Sequence, residues 1–358
     1  MTKTDTFRID GHKLHLHPQR VADWLAGKDI APIYMEVSPS GTCNHRCRFC
    51  SADFYGYREH FLRTQAFITK LGQLAEAGVK AIMFAGEGEP FMHKELPLIT
   101  RAVKEAGIDP AFSTNAVFFT PDKARDVLPH ASWLKVSCNA GSPESYAFVH
   151  GTRPEDFHTV LDNMARAVRI REEQGSACTL GFQMILLPEN KAEALAQAKR
   201  VRDLGADYFV IKPYSVIPLS GKTAYLDLHY GDCSELAAEL AALNTGSFSV
   251  IFRHDAMRRA DSRAAPYTRC LALPFCCDVS TDGTAWTCTR HYGEEAYRMG
   301  NILDQPISEV FGGEERRQKL AWCAGHGDIS DCHVTCRMSA INHYLWELRN
   351  PGPHVNFI

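Results

Sequence analysis

The chain lacks the charge imbalance that would commit it to nucleic acid or to an anionic membrane surface. Its 39 Lys and Arg stand against 42 Asp and Glu, a formal net charge of −3 with a pI near 6.6, and it has no polybasic stretch. It also lacks any run approaching the roughly eighteen apolar residues of a spanning helix. The opening Met1-Thr2-Lys3-Thr4-Asp5-Thr6 has no apolar core of a secretion signal. These absences point to a cytoplasmic protein with neither membrane nor nucleic acid as partner. Missing too is an even spread of the thirteen cysteines: three fall between Cys43 and Cys50, seven between Cys270 and Cys336, and Cys138, Cys178 and Cys233 lie scattered. In a compartment that keeps thiols reduced, this clustering argues for metal sites over disulfides.

What is present is an ordinary globular mix, 45% hydrophobic and 23% charged over 358 residues. Residues 1–30 read as a solvated lead-in with His12, His15, His17 and a short helix from Pro18 to Leu25. From residue 31 short apolar runs alternate with helical patterns. Strands are expected over Ile33–Val37, Ala81–Ala85, Ala111–Thr114, Trp133–Asn139, Thr179–Leu187 and Asp207–Pro213. Helices are expected over Thr64–Ala77, Glu95–Ala106, from Pro121, over Pro154–Gln174 and over Ala192–Leu204. Near-continuous apolar strands alternating with helices describe a parallel α/β sheet buried on both faces. Eight such units close a barrel, so the six within 31–215 predict a partial (β/α)6 TIM barrel. Residues 216–265 read as a linker with a short amphipathic helix over Ser234–Leu243, 266–345 as a small cysteine-rich α+β domain, and 346–358 as a tail.

The first cysteine group, Cys43-Asn44-His45-Arg46-Cys47-Arg48-Phe49-Cys50, has the spacing C-x3-C-x2-C and follows the first strand. Three thiolates on one loop can hold three irons of a [4Fe–4S] cube and leave the fourth open to a small molecule. A structural zinc site, which wants four protein ligands, and three packed thiols are the other readings. Gly86-Glu87-Gly88-Glu89-Pro90 follows the second strand, Ser113-Thr114-Asn115-Ala116 ends the third, and Val136-Ser137-Cys138-Asn139 ends the fourth. Period-two alternation puts Ser137 and Asn139 on one face and Cys138 on the other, as a core thiol.

The cysteine spacing, with an aromatic before its last member, resembles the signature of the radical S-adenosylmethionine (radical SAM) superfamily. The resemblance implies that the open iron binds the amino and carboxylate groups of SAM. Electron transfer then gives methionine and a 5′-deoxyadenosyl radical that takes a hydrogen from substrate. It implies Phe49, Gly88, Glu89, Pro90, Thr114, Ser137 and Arg153 of His150-Gly151-Thr152-Arg153 as cofactor contacts, with Glu87 standing where many relatives have glycine; Asn139, on the same strand face as Ser137, and Gln183, a polar interruption of the fifth strand, are read as further cofactor contacts. Lys212 interrupts the sixth strand as a possible substrate contact, and His60, His93, Tyr214 and His291 sit in neighbouring loops. A reductant such as flavodoxin or ferredoxin is the implied partner.

The second cysteine group, Cys270, Cys276, Gly283, Cys288, then Cys323, His326, Cys332 and Cys336, resembles a SPASM domain, the auxiliary-cluster extension of that superfamily. Met299–Ile302 and Ile307–Phe311 match its strand and helix. The resemblance implies an auxiliary [4Fe–4S] cluster on Cys270, Cys276, Cys288 and Cys336. A second set departs from the pattern: Cys323 and Cys332 match, His326 replaces a cysteine, and only His343 and His354 follow. That site is empty, holds zinc or a mixed-ligand cluster, or holds a cluster through an unusual ligand. The expected activity is hydrogen abstraction from a small polar, carbohydrate or amino-acid-derived substrate, with oxidation or epimerisation. Maturation of a peptide is the alternative, and a non-catalytic iron–sulfur or zinc regulator the reading from another class. Asp278 and Asp282 are candidate bases and Cys277 a candidate hydrogen donor.

Overall fold

The computed structural model describes residues 7–215, 217, 219–262, 265–326, 329, 332 and 335–357, without the side chain of His326. The expected strands form as β1 (Tyr34–Val37), β2 (Ala81–Phe84), β3 (Asp109–Thr114), β4 (Trp133–Ser137), β5 (Thr179–Ile185) and β6 (Tyr208–Lys212). They run parallel in sequence order. The helices are α1 (Pro18–Leu25), α2 (Thr64–Ala77), α3 (Leu96–Glu105), α4 (Pro121–Val127), α5 (Pro143–His150), α6 (Glu155–Glu173) and α7 (Ala194–Asp203). Alternation along each strand sends one set of side chains outward. Met35, Val37, Ile82, Phe84, Phe112, Leu134, Val136, Phe182, Phe209 and Ile211 form one core with Phe67, Leu71, Ile99, Val103, Val160, Met164 and Val201 of the helices. The other set points inward, and it is polar where function sits.

Three boundaries differ from the sequence reading. Residues 216–265 are not merely a linker: besides the expected helix, α8 (Ser234–Ala241), they carry β7 (Ser249–Phe252) and α9 (His254–Ser262). β7 pairs parallel with β6, because Val250 fits the outer core while Ile251 packs inward on Tyr208 and Val210. The lead-in is not solvated throughout. Leu14, Val21, Trp24 and Ile30 bury themselves with Ile33, Leu271, Phe275 and Leu345, and Phe7 and Ile9 pack against Tyr208 and Val210 inside the barrel.

The C-terminal segment extends the same sheet. β8 (Cys276–Val279) pairs parallel with β1, and β9 (Thr284–Trp286) and β10 (Arg298–Asn301) follow antiparallel. The order is β10-β9-β8-β1-β2-β3-β4-β5-β6-β7. α10 (Ile307–Gly312), α11 (Glu314–His326) and α12 (Ser339–Arg349) complete the described chain, α12 running across the boundary expected at 345. No helix among the described residues is long and apolar enough to cross a membrane.

Candidate active site

The first cysteine loop leaves the C-terminal end of β1 and is fastened to the last turn of α5. A helix end leaves carbonyls without intrahelical partners; here the N–H groups of Arg46 and Arg48 donate to the carbonyls of His150 (3.1 Å) and Val149 (3.0 Å). Gly151 ends α5 at φ +57°, and a Cβ there would meet the Arg46 carbonyl at 2.3 Å. Cys43, Cys47 and Cys50 are half-buried and unbridged. Burial and the neighbouring carboxylate of Glu89 push the Cys43 thiol up to about 12. Burial and the other two cysteines push Cys47 well above its ordinary value. Phe49 packs against Val149, Ile185, Leu187, Tyr214 and Tyr225.

The turn after β2 lies against this loop. Gly88 has no room for a side chain, since a Cβ would sit 2.1 Å from the Thr42 carbonyl, and the Glu89 N–H donates to that carbonyl at 2.9 Å. The buried Glu89 carboxylate accepts from Phe91 N (3.1 Å), Thr114 Oγ1 (2.5 Å) and Asn115 N (2.7 Å). Burial raises its pKa against those bonds. Pro90 opens the short turn that Glu89 caps. Asn115 Nδ2 donates to Asn44 Oδ1 at 2.8 Å, joining the end of β3 to the cysteine loop. Ala116 sits at φ +61°, a left-handed conformation suited to glycine. Glu87 has a separate duty: it accepts from the N–H (2.8 Å) and hydroxyl (3.0 Å) of Thr281 in the C-terminal segment.

Ser137 and Gln183 are register partners on the inward faces of β4 and β5. Asn139 is committed elsewhere. Its Oδ1 accepts from Ile185 N at 2.6 Å, and its backbone N–H donates to His150 Nε2 at 2.9 Å. Arg153 has a side chain 78% exposed and pairs with Asp156 at 3.2 Å. Cys138 is a core thiol.

Inside the barrel mouth lies a cavity of about 250 Å³. It opens between the residues following Cys50 and the wall carrying Cys336, with Ser38, Gly86, Tyr55 and Tyr292 around it. Arg337 crosses it, binding Glu36 of β1, Asp278 of β8 (2.8 Å) and the hydroxyl of Tyr34 (3.1 Å). Burial, partly offset by Arg337 and reinforced by Glu36, raises Asp278 to about 7. Burial with Lys135, Arg253 and Arg337 nearby lowers Lys212 to about 7. Arg253 pairs with Asp10 at 3.2 Å, whereas the ammonium of Lys212 takes no hydrogen-bonding partner among the described residues.

Two of the three residues proposed for catalysis are therefore displaced. Alternation along β8 sends Cys276 and Asp278 inward and Cys277 outward, where it lies in the core opposite Met35. Asp282 holds its own turn, accepting from Ser280 Oγ (2.8 Å) and Thr284 N (2.9 Å), and those bonds keep its pKa low against burial. His60, His93, Tyr214 and His291 do not line the cavity. Glu36, Tyr55, Tyr292, Arg253 and Arg337 do, and sequence reasoning missed them. Glu36 carried a signal, an acid inside the apolar strand Tyr34-Met35-Glu36-Val37.

Cys270 and Cys288 pack with Cys323, Leu273 and Tyr297. Beyond the effect of burial, Cys336 and Cys270 raise Cys288, Cys270 raises Cys276, and Cys332 raises Cys336. Thus the set expected for one auxiliary cluster and two cysteines expected for another share one neighbourhood. His354 does not join them; it is exposed and contacts Phe357. The His326 side chain lies outside the described residues.

The donor sets fit iron–sulfur groups. Their sulfurs are unbridged, lie near one another and accept N–H groups: His45 N to Cys43 (3.5 Å), Asn342 Nδ2 to Cys270 (3.4 Å) and Met338 N to Cys336 (3.4 Å). Residues 37–201 match the Radical SAM superfamily. That segment is a Radical SAM domain. The Radical SAM family uses a [4Fe–4S] cluster and SAM, and Cys43, Cys47, Cys50 and Glu89 all lie within the matched segment. The chain is 31% identical over 122 residues to a GTP 3′,8-cyclase of Tolumonas auensis, covering 33% of this chain and 36% of that protein. It spans between about a fifth and a half of the length of the curated relatives it matches. The fold resembles Streptococcus suis SuiB bound to S-adenosylmethionine, at 15% identity and a TM-score of 0.64, over 95% of this chain and 80% of that one. It also resembles anSMEcpe with bound AdoMet, at 14% identity and a TM-score of 0.55, over 82% and 84%. The cysteine-rich C-terminal segment agrees with an auxiliary-cluster domain of the SPASM type.

Proposed function

We propose that this radical SAM enzyme removes a carbon-bound hydrogen from a small polar substrate, carbohydrate or amino-acid-derived, that carries an anionic group, and oxidises it. The observation that carries the reading is the charged cavity, in which Lys212 takes no hydrogen bond among the described residues and Asp278, raised to about 7, lines the same space as a base. When bound, the cluster and SAM supply a carbon-centred radical that accepts the substrate hydrogen. Lys212, with Arg253 beside it, holds the anionic group, and Tyr55 and Tyr292 wall the other side. After the hydrogen atom has left, the substrate carbon must lose one electron and the adjacent hydroxyl or amine one proton to form C=O or C=N. Asp278, which lines the cavity, takes the proton. The electron acceptor belongs to the iron–sulfur class, and Cys270, Cys276, Cys288 and Cys336 are the residues to hold it, Cys336 lining the same cavity. Epimerisation is disfavoured because it needs a hydrogen donor and Cys277 is turned away.

The second reading is peptide maturation, favoured by the likeness to SuiB, whose structure has been solved with its precursor peptide SuiA. The test is 5′-deoxyadenosine formation by the reduced holoenzyme with SAM and a panel of deuterated sugar acids, sugar phosphates, amino-acid derivatives and peptides. Deuterium in the 5′-deoxyadenosine from an anionic small molecule supports the first reading. Labelling from peptides alone selects the second, and no SAM cleavage with a fully loaded enzyme refutes both. Asp278→Asn should retain deuterium transfer and lose the oxidised product.

A further inference from the structure

His150 closes α5 directly behind the first cysteine loop, and its ring is held on every side. Tyr146 stacks on it at 4.2 Å between centroids, and Phe49 and His45 meet it edge-on at 5.4 Å each. One ring nitrogen, Nε2, faces the backbone N–H of Asn139 at 2.9 Å and Asn139 Nδ2 at 3.4 Å. The amide orientation of Asn139 is fixed, because its Oδ1 accepts from Ile185 N. A backbone N–H can only donate, so Nε2 is an acceptor and carries no hydrogen. An imidazole whose Nε2 is bare is the neutral form. Its single hydrogen is therefore on Nδ1, and Nδ1 lies 3.5 Å from Cys47 Sγ.

We infer that His150 is a positioning residue for the radical-generating cluster, donating an Nδ1–H···S hydrogen bond to the Cys47 thiolate and thereby raising the cluster's reduction potential. A donor aimed at a ligand sulfur stabilises the state with more negative charge, which is the reduced one, and such bonds are among the levers that set cluster potentials. The effect is strengthened by burial, where little water competes for the sulfur. Asn139, expected to touch SAM, acts here by fixing the tautomer, as an outer hydrogen bond fixes a metal-bound histidine.

Two substitutions separate this role from simple packing. His150→Gln places an amide oxygen near the former Nε2 position, keeping an acceptor for the Asn139 N–H but no donor toward Cys47. His150→Asn places an amide N–H near the former Nδ1 position and loses the acceptor. The readout is the midpoint potential of the first cluster in anaerobically reconstituted holoenzyme, followed by EPR. His150→Gln should have about tenfold less reduced cluster at a fixed applied potential, equivalent to ~59 mV for one electron, while His150→Asn stays near wild type despite lower thermal stability. A wild-type potential in His150→Gln, or an equal fall in both variants, overturns the inference. If neither variant loads its cluster, pulsed EPR of the reduced wild-type enzyme carrying 15N-histidine decides. A weak coupling to one histidine nitrogen supports the bond, and its absence overturns it.

Discussion

Replacing Arg337 with methionine isolates the charge network across the cavity. The guanidinium serves Glu36 and Asp278 together, and Met of similar length leaves two carboxylates facing each other with no cation between them. Removing one partner of a fully buried pair costs about 3–5 kcal/mol and of an exposed pair about 0–1. Asp278 is 5% exposed and the Arg337 side chain 36%, so an intermediate loss of about 2–3 kcal/mol is expected at pH 8. With an unfolding entropy of roughly 2.1 cal/mol/K per residue, this corresponds to about 3–4 °C in Tm for a chain of this length. The loss depends on pH with a definite sign. Asp278 is raised from 3.8 to about 7 in the fold, so its contribution favours folding at low pH and is lost as pH rises through 7. Without Arg337 its pKa rises further, and the gap between variant and wild type opens above pH 7. At pH 6 Asp278 is mostly protonated in both, leaving the Glu36 contact, worth about 1 kcal/mol. Thermal unfolding of reconstituted protein at pH 6 and pH 8 is the assay. Equal losses at the two pH values, or a larger loss at pH 6, would refute the reasoning.

Glu89→Gln should put an amide N–H against a backbone N–H, at Asn115 or at Phe91, and lose a charge-assisted bond worth about 1.5–3 kcal/mol. SAM affinity measured by calorimetry should fall at least tenfold, and unchanged binding would remove Glu89 from the cofactor site. Cys277→Ala should leave turnover unchanged and cost about 1 kcal/mol of stability, read from the unfolding midpoint. A large loss of activity in a stable variant would return Cys277 to the chemistry.

The barrel was legible because its strands are short apolar runs separated by helices with clear stops. The turn that packs on the first cysteine loop was legible because close backbone approach leaves marks that one sequence can show, such as the glycine at 88. What escaped depended on pairing between distant segments. Nothing local in Cys276-Cys277-Asp278-Val279 states that it lies beside Tyr34-Met35-Glu36-Val37. Without that register, alternation separates Cys277 from Asp278 but does not say which one faces inward. Arg337 was invisible for the same reason, since its partners stand some 300 and 60 residues away. β7 was missed because its four residues follow a polar stretch and lean on β6 for their assignment. His150 was quoted only for its neighbour Arg153, because a hydrogen bond to sulfur has no sequence signature.

The pairing of β8 with β1 bears on how the chain avoids self-association. β1 would otherwise be the open margin of the barrel, a row of unsatisfied N–H and C=O groups beside the apolar side chains of Met35 and Val37. Such a margin is a template for another copy's strand. β8 occupies it, the Ile33 N–H donates to the Phe275 carbonyl at 2.9 Å and the Ser38 N–H to the Val279 carbonyl at 2.8 Å. The auxiliary segment is therefore also the barrel's border, and a chain cut after residue 265 should aggregate through β1 even where its first cysteine loop is intact.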